Sequence, residues 1–295
     1  MALIQTLKRR PVLTYFVLVY VLSLACWIPL AISKTRASSF PFLVLATLGI
    51  SVPSLLGILL TALYGGSSLG ELFRRVGRVR VPLVWYAIVL LLLPVLQLVA
   101  LGVPALLGLA TITFTFSGFI VLSSVGSGVG EELGWRGFAL PPLQASRSAF
   151  AAGLLLGVLW GLWHLPLQVA RGLPLTAAGL AQLASFLLLV AGWSVLFTWV
   201  YNNTKGSLFL MILFHAVADI AVLTIPVSSW LGGVLYLVLL CVTVTLVVTL
   251  AGPARLSRSP EGQTAQAGSS AVMLSVRRGA DIDAPTAAGS IRTVT

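Results

Sequence analysis

The chain has 295 residues, of which 58% are hydrophobic and only 8% charged, and its mean hydropathy is +1.05. Soluble domains carry roughly 25% charged residues, so a soluble fold is excluded and an all-α, polytopic membrane helix bundle is expected. The net charge of +11 does not indicate nucleic acid, because the Lys and Arg residues lie in the short gaps between apolar runs, where the positive-inside rule places them.

About eight transmembrane helices are expected, each of the roughly 18–25 residues a bilayer demands. The first covers Val12–Ser33; Lys8, Arg9 and Arg10 precede it as they would a signal peptide, but the apolar run is long enough for an uncleaved span. The second covers Phe40–Tyr64 and contains Pro53. A basic, partly amphipathic connector, Leu69–Val81, holds Arg74, Arg75, Arg78 and Arg80. The third span covers Pro82–Leu107, and the fourth begins near Thr111 and carries Glu131 and Glu132. The fifth covers Ser148–Val169, the sixth Ala177–Tyr201, the seventh Ser207–Ile225 and the eighth Ser229–Ala251. Residues 1–251 therefore read as the membrane domain. Residues 252–295 are rich in Ser, Ala, Gly and Thr, lack aromatic residues and read as a flexible tail. Cys26 and Cys241 lie in apolar runs without metal-ligand spacing and read as core residues.

Eight spans divide the cations unequally. Fifteen of the 18 Lys and Arg residues fall on one side, and only Lys34, Arg36 and Arg171 on the other. Both termini are then expected to be cytoplasmic. The preference for Ala, Gly, Leu and for Arg over Lys reads as prokaryotic, which places the protein in an inner or plasma membrane.

Few ionisable residues fall inside the apolar spans: Glu131, Glu132, Arg136, His164, His215 and Asp219, including both histidines of the chain. A charge at the bilayer centre costs about 2.5–3.5 kcal/mol on insertion scales, so these residues are expected to face a polar cavity. Glu132 and Arg136 are four apart with the acid first, the favoured order for a helical ion pair. Glu131 projects about 100° away from Glu132 and is free for another partner. Trp160 and His164 share one helix face, as do His215 and Asp219. Counted from Arg147 and Lys205 at about 1.5 Å per residue, the groups can meet at one depth.

That set points to water activation. There is no Gly-x-Ser-x-Gly, and neither cysteine is paired with a histidine. Glu131 suits a general base, and the histidines suit either an oxyanion or a metal such as Zn2+ held by Glu131, His164, His215 and Asp219. The single-helix His-Glu-x-x-His zinc motif is absent. Read from these residues alone, a proton-coupled carrier or a catalytically silent partner-binding or immunity protein are the rivals of an enzyme. No matching inverted halves support the carrier.

The order Glu131-Glu132-x-x-x-Arg136, then Trp160-x-x-x-His164, then Phe214-His215-x-x-x-Asp219 resembles the CPBP family. This is the CAAX-protease and bacteriocin-processing, or ABI, group, which includes the eukaryotic Ras-converting CAAX endopeptidase. The resemblance implies an intramembrane metalloprotease of about eight helices acting on a membrane-associated or lipidated peptide or protein. It implies that Glu131 activates water, that His164 and His215 hold the water, a metal or the oxyanion, and that Glu132 and Arg136 form a supporting pair. Two positions depart from the family pattern. Trp160 stands where Phe is usual, and Asp219 stands where Asn is frequent; an ionised Asp cannot donate to an oxyanion, but it can ligate a metal or orient a histidine.

Overall fold

The computed structural model describes residues 10–33, 39–64, 66–174, 176–226 and 229–257. The expected tail from residue 258 onward, and the loop bearing Lys34 and Arg36, lie outside the described residues. The described chain is helical: α1 (Pro11–Ser33), α2 (Phe40–Tyr64), α3 (Gly66–Val76), α4 (Leu83–Leu106), α5 (Gly118–Gly134), a π-helical turn (Trp135–Ala139), α6 (Leu140–Ser146), α7 (Ala149–Trp163), α8 (Leu165–Ala170), α9 (Ala177–Asn203), α10 (Leu208–Thr224) and α11 (Trp230–Ala251).

Hydroxyl side chains begin five of these helices. Ser117, Ser148, Thr176, Ser207 and Ser229 each accept a hydrogen bond from the backbone N–H three residues on. This satisfies one of the N–H groups that a helix start leaves open. The apolar runs then carry the helices through lipid, where every backbone polar group must be bonded internally.

The protein is a multi-pass membrane bundle, with six helical segments long and apolar enough to cross a bilayer. Three of the eight expected spans differ. α5 and α10 have 17 residues each. α5 starts at Gly118 rather than near Thr111, and gains length at its other end by running through the π turn into α6. The fifth expected span is broken at His164, because Pro166 has no N–H to continue the ladder.

Successive long helices run in opposite directions, so loops gather at two ends. At one end Arg75 donates to the Tyr201 hydroxyl, Ser207 donates to the Arg78 carbonyl, and Asn202 donates to Gln144 and to the Arg255 carbonyl. Residues 253–257 are held there: the N–H groups of Ala149 and Phe150 donate to the carbonyls of Ala254 and Pro253, and Leu256 is buried. This basic end therefore collects the connector arginines, Arg147, Lys205 and the start of the tail. At the opposite end Gln97 donates to the Ile225 carbonyl and the Thr115 N–H to the Thr224 carbonyl.

Glycines allow the helices around the site to touch. A Cβ on Gly134 would collide with the Pro53 carbonyl and the Tyr15 hydroxyl. One on Gly157 would lie 2.6 Å from Ala191 Cα. These contacts draw α1, α2 and α5 together, and α7 onto α9.

Candidate active site

Six ionisable side chains from α5, the π turn, the α7–α8 break and α10 come together inside this bundle. Glu131 and Glu132 are adjacent, so their side chains leave α5 in different directions and take separate partners. Glu132 Oε1 accepts from Arg136 Nη1 at 2.8 Å and from His215 Nδ1 at 2.7 Å. Glu131 Oε2 accepts from two indole N–H groups, Trp135 Nε1 at 3.1 Å and Trp160 Nε1 at 2.5 Å. Its other oxygen, Oε1, faces His164 Nε2 and His215 Nε2, each 4.0 Å away.

The two histidines are oriented alike by different means. His164 Nδ1 lies 3.0 Å from the Trp160 carbonyl. That carbonyl is an acceptor, so Nδ1 carries the proton. The carbonyl is available because the His164 N–H bonds the carbonyls of Gly161 and Leu162 at the helix end. His215 Nδ1 is fixed by Glu132, again as the donor. Both rings thus present Nε2 to Glu131. Asp219 Oδ2 stands 3.7 Å from His215 Nε2, one helical turn beyond it.

Arg136 is fully buried, with its guanidinium 4.7 Å from the ring centroids of both Trp160 and Phe197. The two aromatic faces stabilise the cation in place of water. The site is therefore walled by aromatic rings: Trp160 and Phe197 also pack on His215, and Trp163 and Phe186 on His164.

The spacing distinguishes two occupants for the gap between Glu131 and the imidazoles. Zinc with N and O donors at about 2.0–2.1 Å holds them about 3.3–3.4 Å from one another in a tetrahedron. Here the facing atoms are 4.0 Å apart. A water about 2.8 Å from each atom fits that separation with near-right angles at its oxygen. Among the described residues no group of three or more His, Cys, Asp or Glu stands at metal-holding spacing. The donors expected for Zn2+, Glu131, His164, His215 and Asp219, are assembled as a set but do not fit an ion as placed.

All six residues singled out in the sequence are in this cluster. Sequence reasoning passed over the two indole donors. From the sequence Trp160 reads only as an aromatic residue, and Trp135 has no assigned role beside the glutamates. Its signal was present, since Trp135 follows Glu131 by the same four residues that separate Arg136 from Glu132.

Comparison with known proteins agrees with this architecture. The family model described as type II CAAX prenyl endopeptidase Rce1-like matches residues 113–221, which contain every site residue named above. A protein of Methanococcus maripaludis called CAAX prenyl protease 2 is 26% identical over 230 residues, covering 72% of this chain and 84% of that protein. The chain is an intramembrane endopeptidase. Over residues 113–221 it is similar to the Rce1-like CAAX prenyl endopeptidases.

Proposed function

We propose that the chain hydrolyses a peptide bond of a lipidated or otherwise membrane-anchored polypeptide with a water held between Glu131 Oε1 and the two Nε2 atoms. The observation that carries this reading is the equal 4.0 Å separation of Glu131 Oε1 from His164 Nε2 and His215 Nε2. The lipidated class is taken from the name of the archaeal relative, a prenyl protease. The membrane is a prokaryotic plasma membrane, with the basic end and both termini on the cytoplasmic side.

Each residue then has a task. Glu131 removes a proton from the water as its oxygen attacks the scissile carbonyl carbon. The carbonyl oxygen becomes an oxyanion, and His215 in its doubly protonated form donates Nε2–H to it while Nδ1–H stays on Glu132. His164 accepts from the water and aligns it. Collapse breaks the C–N bond, and the proton on Glu131 passes to the leaving nitrogen, giving one carboxylic acid and one amine. Glu132 and Arg136 hold His215 in place and do not touch the substrate. Asp219 steadies the His215 ring from the open side.

The experiment is cleavage of a library of lipidated peptides by the detergent-purified protein. Glu131→Gln keeps the size and the acceptor oxygen but cannot take the proton, and should lower the rate by about 100-fold or more. Treatment with a chelator should leave the rate unchanged. Full activity in Glu131→Gln would reject the assignment of the base, and loss of activity on chelation would replace the water-only site with a metal site.

A further inference from the structure

We infer that Arg75 is a positioning residue of the site: its guanidinium holds the π turn, and with it Trp135 and Arg136, against the start of α10. The consequence for catalysis rests on the proposed hydrolytic reading, whereas the placement rests on the hydrogen bonds of the turn.

The need for an outside donor follows from the residues after Gly137. Gly137 is buried, and a buried backbone carbonyl has to be paired. In an α pattern its donor would be the N–H of residue 141, and in a π pattern that of residue 142. Both are proline, Pro141 and Pro142, and neither has an N–H. The nearer Leu140 N–H already donates to the Trp135 carbonyl. The helix therefore cannot satisfy the Gly137 carbonyl from its own backbone. Arg75 Nη2 does so, donating to it at 3.0 Å.

The lie of α3 brings Arg75 there. Leu72 and Arg75 are three apart and share the inward face, with Leu72 buried, whereas Phe73 and Arg74 are exposed. A Cβ on Gly137 would lie 2.8 Å from Leu72 Cδ1 and 3.3 Å from Leu208 Cδ1, so the bare glycine lets α3 and α10 close over the turn.

The second bond of the guanidinium reaches the other side of the site. Arg75 Nη1 donates to the Tyr201 hydroxyl at 2.7 Å. Tyr201 is tied to the α9–α10 loop, since its carbonyl accepts from the Gly206 N–H. Ser207 then starts α10 and donates to the Arg78 carbonyl. One side chain thus joins the turn that carries Trp135 and Arg136 to the loop from which α10 leads to His215. These are the two sides that the 2.7 Å bond between Glu132 and His215 has to bring together. The fork of a guanidinium serves the two acceptors with separate nitrogens, which a single ammonium does not reproduce. A purely topological role for Arg75, as one more cation of the basic connector, would be filled equally well by Lys.

The test uses the full-length protein in detergent, with Arg75→Lys, Arg75→Ala and, as a control, Arg74→Ala. Cleavage of a lipidated peptide, thermal melts and hydrogen exchange of residues 135–140 are measured on each. Both Arg75 variants are expected to lower kcat about 10-fold or more with KM unchanged, because small displacements of positioning groups act on turnover. Exchange in the turn should rise with them, while Arg74→Ala matches the native protein. Pro142→Ala restores an N–H at the π-pattern distance from the Gly137 carbonyl. Added to Pro142→Ala, Arg75→Ala should therefore cost much less kcat than it does in the native background. Native kcat in Arg75→Lys overturns the inference, since charge alone would then suffice. A lower Tm with kcat per folded molecule unchanged also overturns it. So does an equal loss with and without Pro142→Ala, because Arg75 would then not act through that carbonyl. Exchange that rises in Arg75→Ala and falls back with Pro142→Ala, in protein without any Glu131-dependent cleavage, would reject the hydrolytic reading and leave the placement standing. Unchanged exchange in such protein would overturn the placement as well.

Discussion

The two oxygens of Glu131 have different neighbours, and the chemistry depends on that difference. Oε2 is pinned by the indole N–H groups of Trp135 and Trp160, which leaves Oε1 turned toward the histidines. A phenylalanine at position 160 would fill much of the same space but supply no donor. A hydrogen bond to a charged group contributes about 1.5–3 kcal/mol, so Trp160→Phe should lower kcat about 10- to 100-fold with KM and folding unchanged. Steady-state kinetics alongside a thermal melt checks this; a change confined to KM would mean that Trp160 acts on substrate binding. The neighbouring pair behaves differently. Arg136 and Glu132 are fully buried and bonded to each other, and removing one partner of a buried pair costs about 3–5 kcal/mol because the other charge is left unpaired. Arg136→Met should therefore lose stability first and activity with it, visible as a Tm shift in detergent before any assay. A double variant, Glu132→Gln with Arg136→Met, should recover part of that Tm but not the activity, because His215 has lost its anchor.

Local geometry of the helices turns these residues into a site. The π turn at Trp135–Ala139 follows directly on the glutamates, and such turns are frequent at functional positions because they re-aim side chains within a continuing helix. It places Trp135 and Arg136 on their respective glutamates while α6 continues to the basic end. Gly134 immediately before it lies against the Pro53 carbonyl and the Tyr15 hydroxyl. Gly134→Ala should push α5 away from α2, lowering stability by about 1–3 kcal/mol through overpacking. Its activity loss should exceed what the Tm shift explains, because the displacement acts on Glu131 and Glu132; denaturation and cleavage measured on the same sample separate the two. This is also where the sequence was least legible. The six ionisable residues stood out because charges in apolar runs are costly and need partners. The π turn left no such mark, since Gly137 is its one weak helix former and a single glycine is common in membrane helices. Trp135 and Trp160 were concealed by their type, because tryptophan is at home in a membrane helix whether or not its N–H is used. The break at His164 had a signal in Pro166, but the apolar run around it read more strongly as one continuous span.

The whole molecule is closed at one end by segments distant in sequence. The connector after α3, the loop before α10 and residues 253–257 all meet there. A sequence reading can place these segments on one side by counting spans and charges, as the fifteen-to-three division did. It cannot tell that Leu256 is buried, because Gly252–Ser257 is short and broken by Gly252 and Pro253, and its attachment depends on side chains more than 50 residues away. Asn202 and Asn203 donate to the carbonyls of Arg255 and Leu256, and Ser257 donates back to Asn203. With a net contribution of about 0.5–1.5 kcal/mol for each of these three bonds and about 1.5–3 kcal/mol for burial of Leu256, the segment contributes about 3–7 kcal/mol. A chain ending after Ser257 should keep the Tm and peptide cleavage of the full protein. A chain ending after Ala251 should lose several degrees, and its Gln144–Asn202 pair should open to solvent with it. Thermal melts of the two truncations in one detergent test this directly. Equal stability would mean that the basic end is closed by α3 and the helix ends alone. A loss in both would mean that residues 258–295 also contribute to the fold.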